Sequence, residues 1–224
     1  MLERVAEVDR AALEATASLR STWLSAAFVV VSAWWLKGLV ITGLGGLADL
    51  RSRRPPWTMV SAGVAAGLAA AITAGLKEAF DRSRPSVADP SFASVIAPPG
   101  SDSLPSGHAA EAFAAATVIA ILAPWLRLPA LVLAALVAVS RVYLGVHYPL
   151  DVLAGALLGV LTGLAVCLLC KRRLRSGVPV LAQKTQTSSS TMRTMRAMVP
   201  IPTYMLPAST RNAARNTSRR SDPV

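Results

Sequence analysis

The feature that most constrains this 224-residue chain is a series of apolar runs long enough to cross a bilayer. The stretch "TMVSAGVAAGLAAAITAGL" (58–76) carries no charged side chain, and comparable segments lie at about 22–47, 57–80, 108–125, 128–146 and 149–170. About twenty helical residues cover the roughly 30 Å of bilayer hydrocarbon. A helix that is apolar on every side has no face to offer water. With 53% hydrophobic residues, the chain is too apolar for an ordinary soluble domain. The expected fold is therefore all-α, an integral-membrane helical bundle with about five spans. The first segment is the least regular, because Lys37 and the glycines of "GLGGLADL" weaken its second half. One long tilted span, or a surface helix followed by a short span, would both fit it.

Charge divides the chain further. Residues 171–224 hold eleven Lys and Arg against the single acid Asp222, whereas residues 1–170 hold twelve basic and eleven acidic residues. The net charge of +11 thus belongs to a tail and not to a basic fold. A positive flank beside anionic lipid explains it, and no nucleic-acid partner is expected. Three regions follow: an amphipathic surface helix over 1–20, a membrane domain over 21–175, and a polar, disordered basic tail over 176–224. In the first, Leu2, Val5, Val8, Ala12 and Leu19 recur every three to four residues or a multiple of that, and the stretch lacks the basic start of a cleaved signal. Cys167 and Cys170 form a C-x-x-C pair without a second Cys or His pair, and are read as small apolar residues. If every segment crosses, "RSRRPP" (51–56), Arg127 and "KRRLR" (171–175) fall on one side, which the positive-inside rule makes cytoplasmic. Loops 77–108 and 140–151 then emerge outside, and Trp57 and Trp125 sit at the inner interface.

Those outer loops hold residues that a membrane chain does not carry without reason. An ionised side chain at mid-bilayer costs about 2.5–3.5 kcal/mol on insertion scales, so it is paired, placed at an interface, or in use. "KEAFDRSRP" (77–85) supplies Lys77 and Arg84, "PSGH" (105–108) opens an apolar segment, and "SRVYLGVHYPLD" (140–151) supplies Arg141, His147 and Asp151. Phosphoryl transfer needs cationic and backbone donors around three oxygens, an in-line nucleophile, and an acid for the leaving oxygen. Lys77, Arg84 and Arg141 provide the charge, the arginines in bidentate fashion. Ser106 and Gly107 open a helix, where amides and dipole favour an anion. His147 stands before a helix start at Pro149, a field that favours neutral imidazole, and Asp151 can accept from its other ring nitrogen.

Together the three motifs resemble the type 2 phosphatidic acid phosphatase superfamily, membrane lipid phosphate phosphatases that share a site plan with vanadium haloperoxidases. The resemblance spans roughly residues 57–170. It implies that His147 becomes a phosphohistidine, oriented by Asp151, while His108 protonates the leaving oxygen and then activates water. It implies a phosphate site of Lys77, Arg84, Ser106, Gly107 and Arg141, with no metal and no cofactor. The substrate would be a lipid phosphate such as phosphatidic acid, phosphatidylglycerol phosphate, or a polyprenyl phosphate or diphosphate, met in the bilayer at its extracytoplasmic face. The family commonly has six spans, so a sixth is left open, and the oligomeric state is not specified. Asp81, Arg82 and Glu111 lie outside the pattern. Glu111 would either adjust His108 or line the bundle, and Ser103 would either join the phosphate pocket or stay out of it. A soluble vanadate enzyme is disfavoured by the apolar segments. A catalytically idle scaffold or transporter is the remaining alternative, disfavoured by two histidines and three cations in one register.

Overall fold

The computed structural model of the protein describes residues 2–53 and 55–176, and the expected tail over 176–224 lies outside them but for its first residue. Among the described residues the chain is helical throughout, with no strand. The helices are α1 (Leu2–Ser18), α2 (Thr22–Ser32), α3 (Trp34–Arg51), α4 (Trp57–Phe80), α5 (Pro85–Ala88), α6 (Gly107–Leu122), α7 (Arg127–Tyr143) and α8 (Pro149–Ser176), with a 3₁₀ turn at Pro124–Leu126. Three stretches, Trp57–Ala88, Pro124–Tyr143 and Pro149–Cys170, are long and apolar enough to cross a membrane, and Thr22–Ser32 and Gly107–Leu122 are shorter apolar helices. The first apolar segment is two helices: the backbone turns extended at Ala33 (ψ 124°) and separates α2 from α3.

Local chemistry fixes several of these boundaries. Pro55 and Pro56 cannot continue α3, and the carboxylate of Asp49 crosses over to accept the amides of Thr58 and Met59 at 3.2 and 3.0 Å. An acid there satisfies two orphan donors at the positive end of α4. At the other end α4 stops on Asp81, whose φ of 44° is left-handed. Helix α8 starts with Pro149, whose missing N–H costs nothing at a first helical position.

The bundle is built inside out. Its core is alanine, including Ala62, Ala65 and Ala69 of α4, Ala110, Ala114 and Ala116 of α6, and Ala130 and Ala134 of α7. The large aliphatics point outward: Val60, Val64, Leu68 and Ile72 along α4, and Leu153, Leu157, Leu161, Leu164 and Leu168 along α8. That inversion suits lipid, where association rests on close packing of small residues. Helix α6 is the axis, buried on nearly all sides from Ala109 to Ala120, with α4 and α7 packed against it.

Helix α8 meets α6 almost backbone to backbone. A Cβ at Gly155 would lie 2.3 Å from the Ser106 carbonyl oxygen, one at Gly159 2.2 Å from that of Ala110, and one at Gly163 2.7 Å from that of Ala114. Three glycines, each one turn after the last, thus face three carbonyls at the same spacing. A further bond from the Ser106 amide to the Asp151 carbonyl, 2.9 Å, joins the two N-terminal ends. The Arg51 guanidinium lies over the Trp125 ring at 5.4 Å, so the α3–α4 and α6–α7 connections share one end of the bundle. The N-terminal helix α1 buries Asp9 and Leu13, whereas Val8 and Leu19 of the sequence-predicted stripe are exposed.

Gly159→Ala should therefore separate α6 from α8 and lower stability by roughly 1–3 kcal/mol, the usual cost of overpacking. Gly67→Ala on α4, where a Cβ meets nothing within 4 Å, should be neutral or stabilising by up to about 1 kcal/mol. Thermal unfolding of both variants in detergent checks the contrast.

Candidate active site

Two tight turns bring the chemistry together at the end of the bundle opposite Arg51 and Trp125. Helix α7 ends in a left-handed turn at Gly145 (φ +75°), where a Cβ would strike the Arg20 guanidinium at 2.7 Å and the Phe92 ring at 2.8 Å. Only glycine fits such a conformation and approach. Arg20 donates to the carbonyls of Tyr143 and Ala93 at 3.1 and 2.6 Å, and the Val95 amide donates to the Leu144 carbonyl at 2.9 Å. The connection 89–106 is thereby fastened to the turn that carries His147. On the far side of His147, Asp151 reaches back from the first turn of α8 and accepts the Tyr148 amide at 2.9 Å. This is the acidic half of a capping box.

The result is one cavity of about 490 Å³ lined by Lys77 from α4, Arg84 before α5, Gly107 and His108 at the start of α6, Arg141 near the end of α7, and His147. Sequence separations of up to 70 residues collapse into a single pocket. Ser106 and Asp151 stand behind the wall, each fully buried. The Ser106 amide is committed to the Asp151 carbonyl, which leaves Gly107 as the leading amide of α6 at the cavity. Ser103 is buried away from the cavity, its hydroxyl donating to the Arg82 and Ser83 carbonyls at 2.9 and 3.3 Å. Glu111 lines the pocket, one turn beyond His108, together with Glu78 and Asp102.

Arg84 organises the site. Its guanidinium donates to the Ser101 carbonyl at 2.7 Å, the Val146 carbonyl at 2.8 Å and the Asp102 carbonyl at 3.2 Å. Its Nη1 also lies 3.2 Å from His147 Nε2. A guanidinium only donates, so Nε2 accepts and carries the lone pair. In the neutral ring the proton then sits on Nδ1, which faces Asp151 Oδ2 at 3.6 Å. That separation exceeds a formed hydrogen bond, and such contacts tighten when a ligand fills the site. His147 lies in the turn between α7 and α8, and burial pushes its pKa down to about 4, outweighing the nearby carboxylate that pulls the other way. The imidazole is neutral across the physiological range.

The remaining cations are anchored but not neutralised. Lys77 Nζ donates to Ser101 Oγ at 3.1 Å, and Arg141 donates to Ser32 Oγ at the end of α2. Ser106 Oγ, Arg141 Nε and His147 Nδ1 are buried polar atoms without a hydrogen-bond partner. Three positive groups around one cavity repel each other, and buried unpaired charge costs several kcal/mol. An anion with several oxygens relieves both. Among the described residues, no three His, Cys, Asp or Glu side chains gather as a metal site requires.

Sequence reasoning passed over Asp9, Ser32 and Ser101 and left Arg82 outside the pattern. Arg82 bridges Asp9 Oδ2 at 2.6 Å and Asp151 Oδ1 at 2.5 Å, and its guanidinium stacks 4.3 Å over the Tyr148 ring. Its position two residues before Arg84 was the one available signal. Asp9 and Ser32 gave none, because their partners are more than 70 residues away.

The fold defines an integral-membrane helical bundle, with a cavity at one end lined by three cationic side chains and two histidines. The chain belongs to the PAP2 superfamily, whose family profile matches residues 58–175. It is 40% identical over 129 residues to the decaprenylphosphoryl-5-phosphoribose phosphatase of Mycobacterium tuberculosis, a match that covers 58% of this chain and 70% of that protein. The crystal structure of a transmembrane PAP2-type phosphatidylglycerolphosphate phosphatase from Bacillus subtilis superposes with a TM-score of 0.60 at 26% identity, covering 80% of this chain and 89% of that one. A bacterial vanadium-dependent iodoperoxidase shares the fold, with a TM-score of 0.57 at 19% identity over 69% of this chain and 48% of that one.

Orthophosphate or vanadate should raise the melting temperature of the purified protein, since a ligand at a hundred times its Kd stabilises by about 2.7 kcal/mol. Lys77→Gln should weaken that binding about 10- to 100-fold, the worth of a charge-assisted hydrogen bond. Chloride at equal ionic strength is the control for general screening.

Proposed function

We propose that this protein is a membrane lipid phosphatase that hydrolyses a glycerolipid or polyprenyl phosphate at the extracytoplasmic face through a phosphohistidine intermediate. The observation that carries the reading is His147 Nε2, held as an acceptor by Arg84 beside a cavity that also presents His108, Lys77 and Arg141. The relatives with phosphatase activity on polyprenyl and glycerol lipids support the substrate class.

In the first step Arg84 Nη1 turns from Nε2 to a phosphate oxygen, and the freed Nε2 lone pair attacks phosphorus as the bond to the ester oxygen breaks. Lys77, Arg84, Arg141 and the Gly107 amide stabilise the charge on the equatorial oxygens. His108 gives its proton to the departing lipid oxygen. As Nε2 becomes bonded, His147 turns cationic, and Asp151 closing on Nδ1–H stabilises it. In the second step neutral His108 takes a proton from water, the hydroxide oxygen attacks phosphorus, and the P–N bond breaks to release phosphate. The low pKa of His147 fits a nucleophile that is unprotonated before substrate arrives.

Phosphate release from a panel of lipid phosphates in detergent tests the chemistry. Wild type should turn over in the presence of EDTA and leave acid-labile phosphate on the protein after rapid quenching. His147→Ala should lose turnover by more than 1,000-fold, on the order of removing a nucleophile. Because His147 ionises only near pH 4, kcat/KM should hold as pH falls through 6.5 and collapse only near 4. Activity restored to a chelated enzyme by a divalent ion, or an unimpaired His147→Ala, would exclude the mechanism.

The facing of the site is tested separately. The basic residues Arg51 and Arg53 stand with Trp125 and Arg127 at the end opposite the cavity, and the positive-inside rule assigns that end to the cytoplasm. In a background lacking Cys167 and Cys170, Ala97→Cys at an exposed position of the 89–106 connection should react with a membrane-impermeant thiol reagent in intact cells. Ser52→Cys should react only after permeabilisation, and the reverse pattern would put the site in the cytoplasm.

A further inference from the structure

Helix α1 lies outside the family-matched residues 58–175, yet one of its side chains is built into the back of the site. Asp9 is 4% exposed and uses both carboxylate oxygens. Oδ1 accepts the Leu150 amide at 2.8 Å, in the first turn of α8, and Oδ2 accepts Arg82 Nη2 at 2.6 Å. Arg82 spends its other terminal nitrogen on Asp151 Oδ1 at 2.5 Å. The second oxygen of Asp151 is the one that takes the Tyr148 amide and faces His147 Nδ1.

We infer that Asp9 and Arg82 are positioning residues, a relay that holds the Asp151 carboxylate in the rotation that presents Oδ2 to His147. The inference rests on the reading of His147 as nucleophile. Asp151 has no exposure to water, so its direction is set by its donors alone. Arg82 occupies Oδ1 and thereby turns Oδ2 toward the imidazole. Asp9 in turn holds the planar fork of Arg82, which a single carboxylate would leave free to swing. Two further contacts fix Arg82: Tyr148 lies against the face of its guanidinium, and Ser103 binds its backbone carbonyl through both amide and hydroxyl at 2.8 and 2.9 Å. One turn along α1, Leu13 is buried with Ala109, Ala138, Val142 and Val152, which seats the helix that delivers Asp9. The exposed pair of Arg10 with Asp89, 2.6 Å, joins α1 to the loop without touching the relay.

The relay acts after binding, because none of its members lines the phosphate cavity. Asp9→Ala should lower kcat about tenfold or more, as small misplacements of catalytic groups do, and leave KM within about twofold. Asp9→Asn, which keeps one acceptor, should lose less, and Arg82→Lys, which keeps charge without the fork, should resemble Asp9→Ala. The diagnostic measurement is Asp9→Ala in an Asp151→Asn background, where it should have no further effect on kcat. Arg10→Ala should lower the melting temperature and leave kcat unchanged. Each rate is taken per folded protein from size-exclusion peaks, so poor yield cannot imitate a slow enzyme. An inert His147→Ala beside a fully active Asp9→Ala would overturn the relay while sparing the mechanism. An active His147→Ala would overturn the mechanism itself. Equal losses in Arg10→Ala and Asp9→Ala, or full additivity with Asp151→Asn, would assign α1 a merely structural role.

Discussion

The contact on which the rest depends is the seam between α6 and α8. Gly155, Gly159 and Gly163 let two helix backbones approach until the carbonyls of Ser106, Ala110 and Ala114 fill the space a side chain would need. With lipid as the solvent, apolar association offers little drive, and packing at this range replaces it. The seam also sets the register of the chemistry. His108 lies in the first turn of α6 and Asp151 in the first turn of α8, so the separation of the two motifs follows from how these helices are pinned.

Around that seam the electrostatics are arranged in layers. Lys77, Arg84 and Arg141 face the cavity with Glu78, Asp102 and Glu111 also in its lining, and Asp151 stands behind the wall; among the described residues, none of the three cations forms an ion pair with these acids. Neutralising the cations directly with carboxylates would fill the sites that phosphate oxygens need. Backbone carbonyls and serine hydroxyls hold them in place instead, at little cost in charge. Arg84 serves two ends at once, ordering the 89–106 connection through Ser101 and Asp102 and fixing the His147 tautomer through Nε2.

Much of this was legible in the sequence because it rests on local spacing. Lys77 and Arg84 flank a helix end, Ser106 and Gly107 open one, and His147 and Asp151 are four apart across a proline start. Lys77, Arg84, Gly107, His108, Arg141 and His147 line one cavity, and Ser106 and Asp151 are buried behind its wall. The first apolar segment was less legible. Its break at Ala33 carries no Pro or Gly, and the extended residue there answers to packing of α2 on α7 and α3 on α4. Ser103, whose nearness to "PSGH" left it open whether its hydroxyl joins the pocket, is folded by the connection back onto Arg82.

By itself the sequence determined the helical class, the apolar segments and the short motifs that carry the charged residues of the cavity, since periodicity and short motifs are properties of neighbouring residues. Tertiary structure alone decided which helices touch, that glycine seams draw α8 onto α6, and that Asp9 reaches Asp151 through Arg82. Those contacts join residues 49 to 141 positions apart, and no local pattern encodes a partner at that distance. An aspartate on a polar helix face and an aspartate that buttresses a buried carboxylate read alike until the chain has folded.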